Sequence, residues 1–543
     1  MTTAPQHLFE WSLATEPAAT HLPEAIGGLY GASDALLLAN IAAARDGLVL
    51  HIADNQQEAD RLEAESRFFA EGRIQVLHFP DWETLPYDSF SPHQDIVSAR
   101  LAVLAALKGI ERGLLIVAAP CLLHRLPPIE YVESRSLSLA IGEKLDLDGF
   151  TENLVKSGYL RVPQVTEHGE FAVRGSLVDL YPMGSDVPIR IDLFDDEIET
   201  LRTFDVDTQL SGDTLTSITV LPAREVPLDD IGIRGFRQRY RERFDGDASK
   251  SQVYRDVSDG IAHGGIEYYL PLFFDKTSTL IDYLPANTLV SGSPELETVL
   301  TAAREEIDER YEVLNVTGER PLLKPEEAFL TETEWRDATN DVERLTLSRE
   351  RLPNDDRRDV GPLPPLALDA QREESAGALI KFLKARLTNA NTLLVAESAG
   401  RREALIDLCQ AHQIHPVRVS GWREFQSLTH PLAITTGSIS NGMILTTNDL
   451  ALVTEQAIFG QRVKTRKRRR GAASDPENII RQLSDLREGA PVVHEAYGVG
   501  RYLGLQTLSV GDNESEFLTI EYAGGDKLYV PVHALQLISR SEK

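Results

Sequence analysis

Residues 27–35 of the chain, "GGLYGASDA", have the spacing of a phosphate-binding turn but not its chemistry. Gly28 and Gly31 sit three apart ahead of a helical run and would let a backbone approach a phosphate. Such a loop also needs a lysine for the β and γ phosphates, then a Ser or Thr hydroxyl for Mg²⁺. Asp34 and Ala35 stand in those places. An acid there would repel a phosphate. ATPases also need an acidic pair at the end of an apolar strand, to hold Mg²⁺ and orient water. The strand candidate "NTLVSG" runs instead into Ser293 and Pro294. Two coincident losses suggest a decayed nucleotide site. A strand-to-helix turn that happens to be glycine-rich is the plainer alternative.

Other reactive side chains form no constellation. His93, His168 and His494 lack ligand spacing and read as structural, and no CxxC pair occurs. Cys121 and Cys409 stand far apart, which supports neither a zinc site nor a disulfide framework. No Ser, His and Asp grouping is suggested. Neither a metal nor a cofactor is expected.

The elements that must position these residues alternate along residues 1–125. "ALLLANIAAARDG" reads as a helix with a glycine stop, "LVLHIAD" as a strand and "NQQEADRLEAESRFFAEG" as a helix. "IQVLHFP" and "LLIVAAP" read as buried strands, so a parallel α/β sheet is expected. Residues 135–215 become a mostly β module with hairpins, inserted before helical patterns resume over 216–348. Residues 349–369 read as a Pro- and charge-rich linker, and 370–460 as a small α/β unit. Residues 461–475 form a second linker, which carries the basic run Arg462–Arg470, "RVKTRKRRR". Residues 476–543 open with a helix and become short strands with glycine turns, the pattern of a Tudor- or SH3-sized barrel. The fold class expected is multidomain α/β: a degenerate P-loop-type domain over 1–130 and 216–348, an inserted α+β domain, a small α/β domain and a C-terminal β-barrel.

Length and charge bound the function. A chain of 543 residues exceeds one ordinary core. A net charge of −29 argues against general binding of nucleic-acid phosphates, so any DNA contact must be local. The basic run is such a place, although charge runs are usually solvated linkers. No signal-peptide pattern or membrane-length apolar run occurs, and a cytoplasmic monomer with protein partners is expected.

Longer stretches carry a resemblance. "GGLYGASDALLLANI", "GIEYYLPLF" and "LIDYLPANTLV" resemble excision protein B, the damage-recognition component of nucleotide excision repair. "FPDWETLPYDSFSPHQDIVSARL", "EHGEFAVRGSLVDLYPMGSDVPIRIDLFDDEIETLRTFD" and "VVHEAYGVGRYLGL" with "KLYVPVHALQLISR" resemble, in the same order, the bacterial transcription-repair coupling factors. The likeness covers nearly the whole chain and is weakest over 350–475. It implies a decayed copy of excision protein B, an inserted domain that binds excision protein A of the same nuclease, and a Tudor-like domain that binds the RNA polymerase β subunit. The family's ATP- and Mg²⁺-dependent DNA translocase would lie beyond "LISRSEK", so no catalytic residue is expected here. The strand-prying hairpin of excision protein B has no room, because Pro92 runs directly into a helix.

Arg190, Asp192 and Phe194 share one face of a strand by period-2 spacing. By resemblance, Arg174, Arg190 and Phe194 match the family's contacts to excision protein A, with Arg161 a further candidate. A solvated sheet face with a core Phe is the plain alternative. The polymerase contact implied is the strand edge Tyr502, Leu503, Gly504, Leu505, Gln506, Thr507 and Leu508, with Leu508 as an apolar anchor. Leu503 and Leu505 could equally be ordinary barrel core. The rival function is a nucleotide-dependent DNA-processing enzyme of the excision protein B type with an unconventional phosphate loop.

Overall fold

The computed structural model describes residues 22–460 except 318–319, 341, 352–358, 369–375, 389–390 and 447–448. It also describes 491–540 except 495–497, 511–512, 522–526 and 532–537. The chain divides into two compact units, 1–461 and 462–543. The basic run and the expected start of the last domain lie outside the described residues.

The first unit is built on a six-stranded sheet. In spatial order its strands are Ala25–Ile26, Glu343–Leu347, Leu289–Gly292, Gly47–Ala53, Arg112–Ala118 and Gln75–Phe79. Every neighbouring pair is parallel. Strand Gly47–Ala53 is buried at every residue, as a parallel strand covered on both faces must be. Helix Ser33–Ala44 is buried from Ser33 to Ala42, so its apolar residues lie all round rather than in one stripe. Helix Gln56–Ala70 begins at Asn55, whose side chain accepts the Glu58 N–H, and ends at left-handed Glu71. The two outer strands at 25–26 and 343–347 are too short or too polar to show in sequence periodicity.

The inserted region makes a second six-stranded sheet: Ser211–Leu215, Glu197–Phe204, Ile189–Phe194, Leu177–Leu180, Glu170–Arg174 and Leu160–Arg161. All its pairs are antiparallel except the last. Phe171, Val178, Ile189, Ile191, Leu193 and Leu201 cover Phe150 and Leu154 of helix Leu147–Lys156. Val97 and Leu101 from helix Gln94–Leu107 join this core, which roots the insert on the first sheet's own helix. Strand Ser217–Val220 pairs back with Leu137–Ala140.

A third sheet is mixed: Val360–Gly361, Met443–Leu445, Leu450–Thr454, Asn391–Ala396, Leu432–Thr436 and Val417–Arg418. The last four of these strands run parallel. Residues inside the expected linker contribute Val360–Gly361 to this sheet and Leu366 to its core.

In the second unit the described residues form five antiparallel strands: Lys527–Pro531, Asn513–Glu521, Gly498–Val510, Pro491–His494 and Ile538–Arg540. A Tudor- or SH3-like barrel is the expectation here; among the described residues the strands form an antiparallel sheet whose two outer strands do not pair with each other. Short strands and glycine turns specify an antiparallel meander. Closure depends on strand tilt and stagger, which composition does not carry.

Candidate functional site

The glycine turn at residues 28–31 is packed by other segments of the chain. Gly28 and Gly31 both take the left-handed backbone that such a turn needs, at φ 69° and 60°. The loop N–H groups have partners, however. Gly28 donates to the Glu350 carbonyl at 2.9 Å and Leu29 to that of Ser348 at 3.2 Å. The third sheet's loop closes the other side, so that a Cβ on Gly31 would lie 2.1 Å from the Gly442 carbonyl oxygen.

Asp34 does more than remove a lysine. Its carboxylate accepts the Ala35 N–H at 2.7 Å, in the first turn of helix Ser33–Ala44. That is where the helix dipole favours an anion, so the chain supplies its own. The Arg61 Nη2 neutralises Asp34 at 2.5 Å and reaches Glu58 at 2.7 Å. The Arg61 Nη1 pairs with the fully buried Glu65. Arg349 adds a second cation, 2.7 Å from Glu58. Burial pushes the Glu65 carboxyl up, and the Asp34 charge adds to this against the pull of Arg61.

Glu65 also joins two sheets, because it accepts the Ser440 N–H at 2.9 Å. Trp422 stacks edge-on against Phe69 with centroids 5.0 Å apart, and the Arg423 N–H donates to Glu71 at 2.8 Å. One face of helix Gln56–Ala70 is therefore the seat of the third sheet's loops. Sequence reading misses this clamp, although Glu58, Arg61 and Glu65 at i, i+3 and i+7 were a visible signal.

At the second expected loss, the Ser293 Oγ donates to Asp54 at 2.6 Å, just past the ends of adjacent parallel strands. Pro294 follows, ahead of helix Leu296–Thr317. One acid is therefore present there, and it is occupied by a hydroxyl. Buried His51 lies 2.9 Å from the Ser291 Oγ, and burial pulls its imidazole down to about 4, which keeps it neutral.

The insert's outer face is arranged differently. Along Ile189–Phe194 the even positions point outward, from half-buried Arg190 and Asp192 to Phe194, which is 74% exposed beside the hairpin tip. Cross-strand pairing carries Asp192 to Leu177 and on to Arg174, so Arg174, Arg190 and Asp192 share this face. Arg161 is exposed on the last strand, next to Leu160.

Asp179, missed by sequence reading, holds the arginines. Its carboxylate accepts from the Arg190 Nε at 2.7 Å and Nη2 at 3.0 Å, and the Arg174 Nη1 lies 3.5 Å away. Arg190 also donates to the Gln209 carbonyl and lies over the Phe204 ring at 5.0 Å. Arg190 is thus committed to the fold on most sides, whereas Arg174 is half exposed and Phe194 free.

In the second unit, Pro491–His494 pairs with only the first four residues of strand Gly498–Val510. From Tyr502 to Val510 that side of the strand has no partner strand among the described residues, while its other side pairs with Asn513–Glu521. The register shifts between Tyr502 and Gly504, and Gly504 has φ 112°. Tyr502 is buried and Leu503 is 37% exposed. The side chains of Leu505, Gln506, Thr507 and Leu508 lie outside the described residues.

Family models match three segments: a UvrB interaction domain over residues 137–226, an MFD D3 domain over 382–458 and a CarD-like/TRCF RID domain over 486–541. The chain is thus of the class of multidomain DNA-repair proteins that carry interaction modules beside a parallel α/β core. Over 95% of its length it is similar to the transcription-repair-coupling factors of Haemophilus influenzae, at 38% identity, and Escherichia coli, at 40%. Its identity to the Bacillus subtilis factor is 26%, again over 95% of the chain. The chain belongs to the transcription-repair-coupling factor family, and it spans about 45% of the length of these relatives.

Proposed function

We propose that these 543 residues act as a two-ended adaptor in transcription-coupled nucleotide excision repair. One end is the insert's outer face, which recruits excision protein A of the excision nuclease. The other is the strand edge Tyr502–Leu508, which engages a stalled RNA polymerase through its β subunit. The observation that carries the reading is Phe194, exposed beside a hairpin tip and next to a row of arginines that Asp179 fixes. Rigid aromatic and arginine side chains are the usual anchors of protein interfaces. At the other end, the open strand edge suits pairing with a partner's strand, where backbone hydrogen bonds supply the affinity.

No catalytic step is assigned to these residues, and ATP and Mg²⁺ are not expected to bind the filled loop. The chain is expected to work in the bacterial cytoplasm as a monomer. The adaptor is tested by capture of excision protein A and of the polymerase β subunit, with wild type, Arg174→Ala/Phe194→Ala and Leu508→Arg as baits. Each variant is expected to lose its own partner and keep the other. Capture of neither partner by wild type would overturn the reading, and clear calorimetric heat with millimolar ATP would restore the nucleotide-enzyme alternative.

A further inference from the structure

Helix Asp230–Arg243 carries arginines at 234, 237, 239, 241 and 243. Two have ordinary structural partners, Arg239 with Asp275 and Arg243 with Glu327. Arg234, Arg237 and Arg241 form no ion pair among the described residues, in a chain of net charge −29. Positions 234, 237 and 241 fall at i, i+3 and i+7, so the three arginines share one face of the helix. Together with Gln238 and Glu242 they line a shallow, open cleft between side chains on one face of this helix.

The arginines are held in place. Tyr254, from helix Gln252–Ser258, presents its phenol oxygen to both Arg237 and Arg241. It accepts from the Arg237 Nε at 3.2 Å and from the Arg241 Nε at 2.8 Å. Its ring lies under the same guanidinium groups, 5.9 and 5.5 Å from the centroid. Burial raises the Tyr254 phenol, but the hydrogen bonds from Arg237 and Arg241 outweigh it and pull the phenol down. Arg234 donates its Nε to the Asp230 carbonyl. The Arg241 Nη2 donates to the same phenol oxygen, which leaves the Nη1 of Arg241 and the terminal N–H groups of Arg234 and Arg237 without a described acceptor. The one acid in the lining, Glu242, accepts from the Gln238 Nε2 at 2.9 Å.

We propose that this cleft is a phosphate site for a nucleic-acid backbone, with Arg237 and Arg241 as the phosphate ligands and Arg234 at its rim. Guanidinium groups fixed by a tyrosine lose little freedom on meeting phosphate, and their planar forks match its oxygens. Positions 234, 237 and 241 step along roughly 10 Å of helix axis, enough to meet more than one phosphate of a strand. The side chains around Arg237 and Arg241 are all polar, with exposed Ile231 a turn beyond Arg234, and this polar lining favours a phosphate chain over a protein segment. The site is separate in sequence from the basic run at 462–470.

The test is binding of a short labelled DNA duplex by the 543-residue chain at several salt concentrations. Arg237→Glu is expected to weaken binding about tenfold at low salt and to flatten the salt dependence by about 0.9 for each phosphate no longer neutralised. Arg202→Glu makes the same charge change on the exposed face of the insert and is expected to cost less than about twofold. Tyr254→Phe keeps the ring and removes the fixing oxygen, so a smaller loss than for Arg237→Glu is expected. Glu242→Gln should tighten binding. Equal affinity and salt slope in Arg237→Glu and Arg202→Glu would overturn the proposal. So would an effect of Arg237→Glu confined to inorganic phosphate, which would make this a small-anion site, or to polyglutamate, which would assign the cleft to an acidic protein segment.

Discussion

Arg61 and Arg190 are each held by carboxylates, 2.5 Å from Asp34 and 2.7 Å from Asp179, yet their surroundings differ. Arg61 lies beneath the loops of the third sheet and shares one guanidinium among Asp34, Glu58 and Glu65. Arg190 lies on a sheet face whose next outward residues are Asp192 and exposed Phe194. In the first place the polar groups are consumed by the fold. In the second, one acid consumes part of them and leaves a fixed, open edge. A cluster of charged side chains therefore says little about binding until its partners are counted.

The sharpest way to break the comparison is Arg61→Ala. It leaves fully buried Glu65 and nearly buried Asp34 without their cation, so a loss of about 3–5 kcal/mol is expected in urea unfolding of the first unit. A loss under about 1 kcal/mol would show the clamp to be solvated and the loop open.

A second test uses protons. The folded pKa of Glu65 is raised, so between its unfolded value near 4.5 and its higher folded value the native state holds a proton that the unfolded state has released. Unfolding free energy from this group therefore falls as pH rises through that window, and its contribution is complete only below about 4.5. Glu65→Gln is expected to flatten the stability-against-pH profile across this range, by on the order of 1–2 kcal/mol. An unchanged profile would mean that Arg61 keeps Glu65 charged throughout.

Much of this contrast was legible in the sequence, and the missing parts share a cause. That Asp34, Ala35, Ser293 and Pro294 stand where a phosphate loop and its acidic pair would need other residues is legible because such a loop is a local pattern. The partners in this cluster are not local: Arg61 lies 27 residues from Asp34, and Glu65 lies 375 residues from Ser440. The outward row at 190, 192 and 194 follows from strand alternation, whereas Asp179 looks like any acid until the register sets it opposite Arg190. Strand Ala25–Ile26 is too short for any period to register. The role of Gly31 is invisible as well, because its missing Cβ makes room for the backbone of Gly442 in a distant segment, and that leaves no pattern at either place.

The smallest expected effect on stability is the most informative about function. Phe194 is 74% exposed and belongs to none of the hydrophobic cores, so Phe194→Ala should change unfolding free energy by less than about 0.5 kcal/mol. The same truncation at an interface anchor costs about 2 kcal/mol or more of binding, so the proposed adaptor role predicts an over tenfold loss of affinity for excision protein A. Arg190→Ala supplies the contrast. It removes the fork to Asp179 and strips the Phe204 ring of its cover, so stability and binding should fall together. If Phe194→Ala binds as wild type does while Arg190→Ala weakens binding only as far as it unfolds the insert, the outer face is structural. If Phe194→Ala separates the two quantities, the exposed ring is there for a partner, and Asp179 serves to hold the arginines beside it.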